Sequence, residues 1–133
     1  MELNLQPGMS YTLEFEVSED KLANVVDPAI AAVFGTPSLV GMMEYASILA
    51  VHPGLPAGMS TVGGSIAVEH TAATPLGMKV RVVSTLKAVE KRKLSFEIEA
   101  FDEKEKIGSA QHTRFIIDLA KFQSKADAKL AQR

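Results

Sequence analysis

Glu44 is the one charged residue between Pro37 and Val51, in the run PSLVGMMEYASILAV. A run about four turns long and apolar on nearly every side predicts a helix buried all round, where an unpaired carboxylate costs several kcal/mol. Such a carboxylate is protonated, paired or at work. Desolvation favours proton exchange near neutrality, which suits an acid, a base or a nucleophile, while a hydrogen-bonded structural Glu is the alternative. His70 is the second reactive group. In the strand-like run from Thr61 it alternates onto one face with Ile66 and Val68, so it points toward the same interior as Glu44, unless it is a core histidine satisfied by a backbone carbonyl. Thr36, just before Pro37, fits an N-cap and N1 pair. Its hydroxyl would also sit among unpaired helix N–H groups, a useful place for a nucleophile or a water-positioning group. Thr36 and Glu44 are about two turns apart, project from similar sides of the helix and could flank one cavity.

Gly63 and Gly64 open the strand that carries His70. They make a bulge or bend, or let a ligand approach the backbone and offer N–H groups to a carbonyl oxygen. Arg114 is either an exposed strand residue or a partner for a carboxylate or a phosphate. His52 and His112 have no partners in the pattern and read as structural. Neither HExxH nor GxxxxGK[ST] occurs, so no metal site or phosphate loop is indicated, and no cofactor is expected.

These residues need elements to hold them. Tyr11, Leu13, Phe15 and Val17 alternate with polar residues as in a half-buried strand. Ser18 to Gly35 loses that pattern and reads as a covering loop. The helix follows and ends at His52-Pro53-Gly54. Four strand-like runs come next: Thr61 to Thr74, Lys79 to Val89, Leu94 to Phe101 and Ile107 to Leu119. The short polar turns between them predict a four-stranded antiparallel meander. The expected fold is α+β, a single domain in which a curved antiparallel sheet of about five strands wraps one long helix. Residues 1–120 form that domain, and 121–133 read as a polar, frayed helical tail.

The chain has 133 residues, 47% of them hydrophobic, enough for a core of its own. Its formal charge of -2, from 14 basic and 16 acidic residues, offers no basic footprint for nucleic acid or a membrane surface. There is no cysteine, hence no disulfide, thiolate nucleophile or thiolate metal site, which suits a reducing, cytoplasmic setting. The start, MELNLQPGMS, does not read as a signal peptide, and no apolar run reaches the ~18 residues of a membrane span.

With their spacing, GTPSLVGMMEYAS, VGGSIAVEHTAATPLG and IGSAQHTRFII resemble the fluoroacetyl-CoA thioesterase group of the hotdog-fold thioesterases over nearly the whole chain. The resemblance implies that Thr36, Glu44 and His70 are a catalytic triad, that Gly63, with Gly64 beside it, lies close to the substrate, and that Arg114 stands near the site. It also implies a homodimer, an acyl-CoA substrate, and hydrolysis of the thioester. One departure stands out: the phenylalanine-containing lid of that group is matched here by the shorter NVVDPAIAAVF, whose one aromatic residue is Phe34, placed to touch substrate. The acyl group is left open. The rival functions are a hotdog hydratase or dehydratase, which needs no hydroxyl nucleophile, and a non-catalytic acyl-CoA-binding module.

Overall fold

A computed structural model describes residues 3–133; Met1 and Glu2, which begin the stretch read as lacking a leader, lie outside it. The elements run β1 (Ser10–Glu16), α1 (Thr36–Val51), β2 (Met59–His70), β3 (Lys79–Glu90), β4 (Lys93–Asp102), β5 (Lys106–Asp118) and α2 (Leu119–Ala131), with 3-10 turns at Glu19–Lys21, Ala23–Val25 and His52–Gly54. The alternating runs all became strands, because each places apolar side chains on one face and polar ones on the other. On β4, for example, Leu94, Phe96, Ile98 and Ala100 are buried while Glu97 and Glu99 are exposed.

The five strands form one antiparallel sheet in the order β1-β3-β4-β5-β2. This corrects the expected meander of four strands. Only β3, β4 and β5 follow one another; β2 lies beyond β5 and does not pair with β3. The segment between β2 and β3 is not a hairpin turn. Val33 bridges Pro75, and the Phe34 N–H donates to the Thr74 carbonyl, so the segment is tied to the loop before α1 and leads the chain across to the far side of the sheet.

α1 is the expected central helix and packs chiefly against β3 and β1. Leu39, Met43 and Val51 are fully buried there, and Ser47, also buried, donates to the Met43 carbonyl and shares a 2.7 Å hydrogen bond with Ser84 of β3. The other flank stays open: Thr36, Pro37, Gly41 and Tyr45 are exposed, in steps of about one turn, and Glu44 lies beside them half-exposed. The expectation of burial on every side fails there, because the helix lies over the β1–β3 side of the sheet and touches β2, at the opposite edge, little.

After β5 the chain enters α2, capped by the Asp118 side chain accepting from the Lys121 N–H. No residue of α2 is buried. Among the described residues, no helix is long and apolar enough to cross a membrane.

Candidate active site

α1 starts at Thr36 because Gly35 takes the N-cap position with an extended backbone, and no side chain caps it. A β-carbon at Gly35 would lie 2.9 Å from the Ala23 Cα, so the loop packs too closely for any other residue. Thr36 is therefore N1, not the N-cap expected from Thr-Pro, and its hydroxyl is free of capping duty. It goes elsewhere: Thr36 Oγ1 is 2.7 Å from Nδ1 of His70, the last residue of β2. The Phe34 ring stands edge-on to the imidazole, with centroids 6.2 Å apart, and is itself fully buried against Phe15. Burial holds the His70 pKa below its ordinary 6.5, an effect the nearby Ala72 carbonyl opposes only in part. Nε2 of the ring is buried and has no hydrogen-bond partner among the described residues. Phe34, Gly35, Thr36 and His70 line an open cleft of about 310 Å³, together with Thr71 and Ala72.

Two turns further along α1, Glu44 belongs to a second cluster. Arg114 Nη1 donates to Glu44 Oε2 at 3.0 Å, while Arg114 Nε and Nη2 donate to the hydroxyl and carbonyl of Thr61 at 2.8 and 3.0 Å. The arginine is 4% exposed, but the Glu44 side chain is 39% exposed. The lone charge in the apolar run is thus a paired, half-exposed carboxylate, not a desolvated one. Burial pushes the Arg114 pKa below its ordinary value, and the bond and charge of Glu44 work against that, so the guanidinium remains a cation at any physiological pH. Gly63 lies under the pair: a β-carbon there would sit 2.8 Å from Glu44 Oε2 and 3.4 Å from Arg114 Nη1. Gly64 faces the opposite way, against the Phe115 ring, as the extra residue where the β2–β5 register shifts.

Reading by sequence missed His112, taken as structural. It is 2% exposed, hydrogen-bonds the Ser65 carbonyl through Nδ1 at 2.7 Å, and sets Nε2 3.3 Å from Arg114 Nη1. Thr61 was also missed. The signal was available in β5, where Ala110, His112, Arg114 and Ile116 share one buried face, so a basic residue and a histidine interrupt an otherwise apolar inner stripe.

The expected trio is therefore divided within one chain. Thr36 and His70 meet; Glu44 lies eight residues along the helix, about 12 Å away by helical rise, held by Arg114. Both groups face the flank of α1 that the sheet leaves open.

The model of a fluoroacetyl-CoA-specific thioesterase family matches residues 17–120. The fluoroacetyl-CoA thioesterase of Streptantibioticus cattleyicolor is 37% identical over 135 residues, spanning 97% of this chain and 97% of that one. The chain belongs to the fluoroacetyl-CoA-specific thioesterase family. Among solved structures, a Thr-to-Ser variant of the fluoroacetyl-CoA thioesterase in complex with acetyl-CoA superposes with a TM-score of 0.90 at 37% identity, covering 94% of this chain and 98% of that one. A hot-dog-like protein from Thermanaerovibrio acidaminovorans, 18% identical, matches with a TM-score of 0.86 over 94% of this chain and 93% of its own, which establishes the fold alone. This family member thus has the hotdog fold expected of it.

Proposed function

We propose that this thioesterase hydrolyses a small acyl-CoA to the free acid and CoA, with Thr36, His70 and Glu44 as its reacting groups. The observation that carries this reading is the 2.7 Å contact between Thr36 and His70 at the start of a helix, inside a cleft. His70, kept neutral by burial, accepts the Thr36 proton through Nδ1 as the oxygen, or a water it holds, adds to the thioester carbonyl. The first turn of α1 favours the negative charge that develops on the carbonyl oxygen. The CoA sulfur then leaves with the proton from His70. Water releases the acid from any acyl-enzyme by the same route in reverse.

Glu44 supplies a fixed negative charge, or attacks in place of the hydroxyl; Arg114 orients it, and Gly63 leaves the space above it clear. Phe34 walls the cleft. A small acyl group accords with the relatives' names and with the acetyl-CoA bound to one of them. A hydratase would make no use of the threonine's bond to the histidine. Thiol release from acetyl-, fluoroacetyl-, butyryl- and octanoyl-CoA tests the reading. Turnover falling with chain length supports it, and no thiol release from any of the four defeats it.

The protein acts as a homodimer in the cytoplasm under this proposal, with residues 1–120 as the catalytic domain and 121–133 as a polar C-terminal tail. The open flank of α1, the exposed Tyr45 and the unpaired edge of β2 support the dimer, since a second copy would cover all three. In an isologous interface centred between the two clusters, Glu44 of one copy would face the Thr36–His70 pair of the other. Light scattering tests assembly, and a monomer across micromolar concentrations would refute it. Co-expression of Thr36→Val and Glu44→Gln chains tests sharing: if the site is shared, mixed dimers regain one intact site.

A further inference from the structure

We propose that His112 is a positioning residue for the thioester reaction, acting through Arg114 to fix where Glu44 stands. The inference rests on the functional reading above and concerns the cluster around Glu44. The Ser65 carbonyl can only accept, so the 2.7 Å contact requires the proton of His112 to be on Nδ1. In the neutral ring Nε2 is then an acceptor, and it faces Arg114 Nη1 at 3.3 Å. Neutrality is favoured on the spot: burial lowers the His112 pKa, the Arg114 charge lowers it further, and the Ser65 carbonyl and Glu44 only partly oppose them.

The guanidinium is thereby held on every side. Nε and Nη2 are clamped on Thr61, and the two hydrogens of Nη1 divide between Glu44 Oε2 and His112 Nε2. Without the His112 acceptor, one of those hydrogens faces a buried site with no partner, and the guanidinium gains by rotating about the Thr61 clamp. Glu44 would follow it, since Oε2 is tied to Arg114. His112 touches neither Thr36 nor His70 by any hydrogen bond, so its effect on the reaction passes through Arg114 and Glu44.

Asn and Gln at position 112 separate the two bonds. His112→Asn keeps a donor where Nδ1 stands, and with it the Ser65 contact, but does not reach Arg114; His112→Gln puts an amide oxygen where Nε2 stands. With acetyl-CoA, His112→Asn should lower kcat by about tenfold or more with KM within about twofold, while His112→Gln stays within about threefold of wild type in kcat. Equal kcat in the two variants, or full kcat in His112→Asn, overturns the proposal. Nitrogen-15 spectra of the same proteins give a readout independent of turnover. The proposal expects the Nδ1–H tautomer at neutral pH, with slowly exchanging Arg114 Nη protons that persist in His112→Gln and vanish in His112→Asn. An Nε2–H tautomer, or an imidazolium, overturns it whatever the activity. Absence of turnover in the wild type counts against the functional reading instead.

Discussion

At the start of α1, Thr36 and His70 share a single 2.7 Å hydrogen bond beside an open cleft, whereas two turns on, Glu44 is tied through Arg114 to Thr61 and His112 and through His112 to Ser65. The first arrangement leaves both partners free to change bonds: Thr36 caps nothing, and Nε2 of His70 holds no partner among the described residues. The second leaves the guanidinium no freedom. A proton-transfer pair has to exchange partners during turnover, and a charge that steers the reaction has to stay still. Under the proposed function, proton transfer falls to the loosely bonded end of the helix and the carboxylate's charge to the braced middle.

The largest effects should come from the loose pair. His70→Ala should lower thioester hydrolysis by roughly two to four orders of magnitude, and wild-type-like turnover would return it to a packing role. Thr36→Val should cost a similar amount while melting like wild type, because Gly35 and not Thr36 is the cap; Thr36→Ser should keep most of the activity. Equal rates for Val and Ser would remove the hydroxyl from the mechanism.

Breaking the braced cluster should move activity and stability together. Glu44→Gln should cut turnover at least about a hundredfold and also lower the melting temperature, since it leaves the buried Arg114 without its counter-charge, at a cost of about 1–3 kcal/mol. Full activity in that variant, at whatever melting temperature, would show that the charge only braces. Gly63→Ala is gentler. Its methyl would sit 2.8 Å from Glu44 Oε2, so the half-exposed carboxylate must shift by a few tenths of an ångström, and turnover should fall by roughly tenfold with little change in melting. An unchanged rate would mean that the position of Glu44 is not critical.

The smallest effect is a shift in pH profile. A base with its pKa held below 6.5 stays neutral further into acid, so the acid limb of kcat/KM should have its midpoint below 6.5. Stability changes in the same direction. His70 and His112 both take up protons more readily when unfolded, so stability is full above about 6.5 and declines as pH falls toward their native values. A limb centred above 6.5 would contradict a buried base.

Much of the architecture was legible. Period-two alternation marked every strand, and the apolar run with its single charge marked α1, because burial imposes those patterns locally. The place of β2 was not legible: adjacency in sequence suggested β3 as its neighbour, and contacts of the connecting segment with Val33 and Phe34 sent it to the far edge beside β5. Thr36, Glu44 and His70 stood out as polar groups at apolar or helix-start positions. His112 did not, since its bonds are made to Arg114 two residues away on the same strand face and to Ser65 on the next strand, neither of which the alternation reveals.

The sequence by itself determined which residues are apolar on which face, and so the strands, the central helix and the family to which the chain belongs. Tertiary structure decided the rest. Whether Thr36 caps the helix or bonds His70, and whether Glu44 is buried alone or paired with Arg114, depends on where strands distant in sequence bring their side chains. A pattern of residue types fixes the faces of an element but not its neighbours.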